Sequence, residues 1–76
     1  MEPIKQIFSF SSFEEAIAFI DRVAPIFIKE DHHPKIINFY NKVEFEYFTT
    51  SANNKVTNLD HKIANEVECI YKALVT

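Results

Sequence analysis

The chain has 76 residues, a formal charge of −3, 47% hydrophobic residues including eight Phe and three Tyr, and a single cysteine, Cys69. This is the size of one domain, 1–76, near the lower limit for a core that holds unaided, and one cysteine excludes an internal disulfide framework. Interspersed acids and bases argue against a footprint for direct nucleic-acid binding, and no apolar run reaches the length of a membrane span.

An unpaired thiol, and an N-terminus (MEPIKQIF) without the plan of a secretory signal, point to the cytoplasm. So many large aromatics in so small a chain predict burial between subunits, in a homodimer or homotetramer, with Phe45 and Tyr47 as interface candidates.

In chain order, IKQIFSF (Ile4 to Phe10) has strand composition. Ser12 and Glu15 then form a capping box, followed by an apolar face of Phe13, Ala16, Ile17, Ile20, Val23, Ala24 and Phe27 at helical spacing. Pro25 predicts a kink or early fraying, and Pro34 places the end of the helix by His33. Two strand-like runs follow, KIINFY and VEFEYFT, joined by a tight turn at Asn41-Lys42. In the second, Val43, Phe45 and Tyr47 alternate with Glu44 and Glu46, the pattern of an antiparallel strand with one wet side. TSANNK is a loop in which Asn53 and Asn54 are candidates for left-handed backbone, since the chain has no glycine. Thr57 as N-cap and Asp60 three residues on open a last helix with a stripe of Leu59, Ile63, Val67, Ile70 and Leu74. The order β-α-β-β-α predicts an α+β fold, an antiparallel sheet with both helices packed on one face.

The chemistry concentrates in EDHHPKI (Glu30 to Ile36). Adjacent histidines diverge by about 100° in a helix and point oppositely in a strand. No Cys or His pair has structural-zinc spacing, so no metal is expected. Acid–base work suits an imidazole whose pKa lies near neutral pH. The plainer alternative is that His32 caps the last carbonyls of the helix, and local features favour it. Glu44 and Glu46 read as a solvated face. The absence of glycine excludes a nucleophile elbow and a phosphate cradle.

Taken together, Asp31-His32-His33-Pro34, Tyr40-Asn41-Lys42-Val43, Thr49-Thr50-Ser51 and Thr57-Asn58-Leu59-Asp60 resemble the motifs of the pterin-4a-carbinolamine dehydratases, and IFSFSSFEEAIAFIDRVA resembles that family's upstream block. The resemblance implies a small α+β oligomer that acts as a hydro-lyase. It would dehydrate 4a-hydroxytetrahydropterin to quinonoid dihydropterin, as in tetrahydrobiopterin recycling, without metal or other cofactor. It also implies His32 and His33 as the catalytic pair, with Asp31, Pro34, Thr49, Thr50, Ser51 and Asp60 around the pterin. The chain departs from the family at Thr50, which stands where a third histidine is usual and implies a weakened activity; threonine exchanges no proton near neutral pH. His61 is the candidate to compensate. Ile28 replaces an acidic residue, with Glu30 close by, Ile36 replaces a Trp, and the usual loop glycines are Asn53 and Asn54, with Lys55 extra. The alternative is a non-catalytic relative that serves as a dimerisation or protein-binding module.

Overall fold

The structure is a computed structural model that describes residues 4–47 and 57–75. Its elements run β1 (Ile4–Ser9), α1 (Phe13–Lys29), β2 (Lys35–Phe39), β3 (Lys42–Tyr47) and α2 (Asn58–Val75), the expected β-α-β-β-α order. The expected Asn53-Asn54 loop lies outside the described residues.

β3 is the middle strand of the order β1-β3-β2, antiparallel to both neighbours. The register puts Gln6, Phe45 and Ile36 in one row and Phe8, Val43 and Asn38 in the next, all on the inner face. Phe8, Val43, Phe45 and Tyr47 from that face meet Ala16, Phe19, Val23 and Phe27 of α1 and Ile63, Ala64 and Val67 of α2 in one core. Both helices therefore pack on one side of the sheet. On the other side, rows of Lys5, Glu46 and Lys35, of Ile7, Glu44 and Ile37, and of Ser9, Lys42 and Phe39 face outward.

Several local expectations shift. Ser12 caps α1 as expected, its Oγ accepting from Glu15 N at 3.1 Å, but the Glu15 carboxylate reaches back to Ser11 N, not to Ser12 N. The buried stripe of α1 is turned toward Phe19, which is 1% exposed, while Phe13 and Ile17 lie on the wet flank. Pro25 does not end the helix, which continues to Lys29. The Pro25 side chain is exposed, so the missing amide falls on the solvent side, where Asp21 C=O can meet water.

The β2–β3 turn is Tyr40-Asn41, one residue earlier than expected, and the positive φ of 54° falls on Tyr40. Asn38 Nδ2 fixes it by donating to Lys42 O at 2.9 Å and Tyr40 O at 3.3 Å, while Asn41 Nδ2 donates to Phe10 O at 2.8 Å. Phe45 and Tyr47, expected in a subunit interface, are buried in this chain's own core. Among the described residues, no helix is long and apolar enough to cross a membrane.

Candidate functional site

The end of α1 decides where the two histidines go. Glu30 is its C-cap, and Asp31 follows in the left-handed region at φ 50°. Asp31 N donates to Ile28 O at 3.1 Å, and His32 N to Phe27 O at 2.9 Å. These are the two bonds of a Schellman motif, formed with aspartate at the position where glycine is commonest. The residue after the left-handed one is the position that such motifs turn back over the helix. Here it is His32, which is 6% exposed.

The backbone then runs extended into Pro34, and His33 emerges on the other side with its side chain 79% exposed. Asp31 is exposed beside it, its Oδ1 3.7 Å from His33 Nε2. Pro34 is half-buried between them and β2. The turn thus separates the pair into one inner and one outer imidazole.

The inner one meets α2. His32 Nε2 bonds to Asp60 Oδ1, and Asp60 is fully buried. The other oxygen, Oδ2, accepts from Thr57 N at 2.8 Å and from Thr57 Oγ1 at 3.3 Å. One carboxylate therefore closes back on Thr57, the residue before α2, and fixes an imidazole 28 residues away. Thr57 donates twice to this carboxylate, and Asp60 lies in the first turn of α2, where the positive end of the helix dipole favours a negative charge. An ionised carboxylate only accepts, so Nε2 of a neutral His32 carries the ring proton and the lone pair is on Nδ1.

A second contact joins the same helix ends. Lys62 Nζ donates to Glu30 Oε2 at 2.9 Å. The Lys62 ammonium, by hydrogen bond and by charge, holds the Glu30 carboxyl below its ordinary range, and Glu30 raises Lys62 in return. His61 is exposed, its backbone N donating to Thr57 O at 3.3 Å. Thr49, Thr50 and Ser51 lie outside the described residues. Among the described residues, no three His, Cys, Asp or Glu side chains gather to hold a metal ion.

The buried pairing of His32 with Asp60 is therefore the centre of the candidate site. Sequence reading put Asp60 at the edge of a pterin site and at N3 of a helix; it did not join the carboxylate to His32. It also noted Glu30 only as a neighbour and missed Lys62. No local periodicity signals such contacts, because they join residues 28 and 32 positions apart.

The family model for pterin 4 alpha carbinolamine dehydratase matches residues 1–70. The chain belongs to that family.

Among relatives of this pterin-4a-carbinolamine dehydratase family member, one from Bradyrhizobium sp. is 41% identical over 96% of the chain and 72% of its own length. Another, from Prochlorococcus marinus, is 39% identical over 91% of the chain and 71% of its own length. Both carry provisional names as pterin-4-alpha-carbinolamine dehydratases. A crystal structure titled transcriptional coactivator/pterin dehydratase, from Brucella melitensis, superposes with a TM-score of 0.84 at 38% identity. It covers 92% of this chain and 73% of its own.

Proposed function

We propose that this family member dehydrates a 4a-hydroxytetrahydropterin to the quinonoid dihydropterin, in the cytoplasm and as a homo-oligomer, with His32 as the principal proton-transfer group. The observation that carries the reading is the buried His32–Asp60 pair. The reaction breaks the C4a–O bond, gives the departing hydroxyl a proton and takes one from a ring N–H, so that water leaves. An imidazole that does both returns to its starting state and needs no cofactor. Asp60 fixes the ring, leaves Nδ1 as the base and stabilises the imidazolium formed when that base is protonated.

His33, on the outer side of the turn, is the second acid–base group. Asp31, Pro34, Thr49, Thr50 and Ser51 are assigned to pterin contacts. Thr50 can hydrogen-bond the ring but not relay a proton, and His61 is the proposed substitute for the missing imidazole.

The test is turnover of 4a-hydroxytetrahydropterin generated in situ by an aromatic amino-acid hydroxylase. Loss of a general acid–base group costs about 10²–10⁴-fold, so His32→Ala falls by that factor and His33→Ala by less. A native rate no faster than the His32→Ala/His33→Ala double variant rejects the reading.

A second reading, a binding module without catalysis, draws on the coactivator title of the Brucella melitensis neighbour and on the exposed Ile7, Ile37 and Phe39 of the outer sheet face. It requires that Thr50→His restore no dehydration. A native rate typical of active dehydratases excludes it.

A further inference from the structure

The two contacts between the end of α1 and the start of α2 are symmetric in sequence. Glu30 stands two residues before His32, and Lys62 two residues after Asp60. The inner rung, His32 to Asp60, is buried. The outer rung, Glu30 to Lys62, has a carboxylate whose side chain is 20% exposed and a lysine 59% exposed. An ion pair with so exposed a lysine adds little to overall stability. Its geometric effect is larger. The Glu30 backbone is fixed as the helix cap and Lys62 sits in a regular turn of α2, so a 2.9 Å bond between them fixes the offset of the two helix ends. That offset is the one on which the inner rung depends, because Asp60 is itself locked to Thr57 by its other oxygen and cannot follow a shifting imidazole.

We propose that Glu30 and Lys62 form a clasp of positioning residues that keeps Asp60 on His32 Nε2, so that the imidazole holds one orientation and one tautomer. Of the charged groups near the ring, Asp60 of α2 bonds it, Glu30 at the α1 end lies close enough to feel its charge while paired with Lys62, and Asp31 and His33 of its own chain segment are exposed. The clasp acts through His32 and touches no reacting atom. For its catalytic meaning it rests on the dehydratase reading; for its structural meaning it does not.

The experiment compares Lys62→Met, which keeps the apolar stem, Lys62→Arg, which keeps charge and donors, and Glu30→Gln. The readout is the ¹⁵N signals of the His32 imidazole in the folded protein. The native protein and Lys62→Arg should show one neutral tautomer, protonated at Nε2, whereas Lys62→Met and Glu30→Gln should show averaged signals of a mixture. In the dehydration assay the same two variants should lose about tenfold in kcat, with KM changed less than twofold. Native-like His32 signals in both Lys62→Met and Glu30→Gln overturn the proposal, even if melting temperature drops. So does a Lys62→Arg protein that behaves like Lys62→Met. A native protein without dehydratase activity overturns the functional reading alone, because the imidazole spectra still decide the clasp.

Discussion

Asp60 is asked to do two things with two oxygens, which makes it sensitive to an almost isosteric change. In Asp60→Asn the amide oxygen can serve Thr57 N–H, turning the amide NH₂ toward His32 Nε2. The ring then responds by moving its proton to Nδ1. That exchange preserves hydrogen bonds while removing the Nδ1 base that the proposed dehydration requires. We expect turnover to fall about 10²–10⁴-fold while the denaturant midpoint moves little, as read by paired kinetic and urea-unfolding measurements.

A second, part-buried polar relay ties the sheet to α2. Tyr47 Oη donates to Gln6 Oε1 at 2.7 Å, and Gln6 Nε2 donates to Ala64 O at 2.9 Å, joining β3, β1 and α2. Burial pushes the Tyr47 phenol well above its ordinary 10.0. Folded protein therefore holds this proton when the unfolded chain has released it. The stabilisation is complete below about pH 10, the unfolded value, and is lost as pH rises through 10 toward the folded value. Thermal melts between pH 8 and 11 should show a steeper alkaline decline in native protein than in Tyr47→Phe.

At the scale of elements, Asp31 and Tyr40, the two residues with positive φ among those described, take up in a glycine-free chain the work glycine usually does. An L-residue pays roughly 1–2 kcal/mol for the left-handed region, least for Asp and Asn. Asp31→Gly and Tyr40→Gly should thus each raise the unfolding free energy, Tyr40→Gly by more and at most by about 1 kcal/mol, in chemical denaturation. A loss of stability in Tyr40→Gly would mean that its side chain makes contacts outweighing the backbone relief.

Element type and order were legible because period-2 and helical patterns alternate cleanly: Val43, Phe45 and Tyr47 against Glu44 and Glu46 reads as nothing but a half-wet strand. The rotation of α1 was less so, since Phe13, Ile17 and Phe19 are all apolar and only the sheet selects Phe19. The turn at Tyr40-Asn41 was displaced by the reasonable preference for positive φ at Asn. Asn38, which fixes that turn through its side-chain amide, stands inside a strand and carries no turn signature. Of the site, the left-handed step at Asp31 that sends His32 inward and His33 outward is invisible in a string of letters. Pro34 showed only that their directions would differ.

At the scale of the molecule, aromatic side chains range from fully buried to largely exposed. Phe8, Phe19, Phe27, Phe45 and Tyr47 are buried together, with Phe19 and Phe45 stacked at a centroid distance of 6.1 Å. Phe39 and Tyr40 project from the sheet at 78% and 63% exposure. Phe45→Ala should cost about 3–5 kcal/mol, a large part of the roughly 5–15 kcal/mol of a typical domain, and shift the urea midpoint accordingly. Phe39→Ser should change monomer stability by less than about 0.5 kcal/mol. If unfolding becomes dependent on protein concentration in the native chain but not in Phe39→Ser, the outer face of the sheet is where copies of the chain meet.

The pairing of β1 with β3, not with β2, together with the distance in sequence between His32 and its carboxylate, sets an order of events during synthesis. The β2–β3 hairpin is local and can close early. The imidazole leaves the ribosome 28 residues ahead of Asp60, which at about 5–20 residues per second is a delay of roughly one to six seconds. Throughout that interval the nascent chain carries its histidine motif with no acceptor for the ring and no second helix to cover the sheet. The His32–Asp60 pair is therefore assembled late in synthesis, and a chain that stops before Asp60 presents the motif without its buried partner.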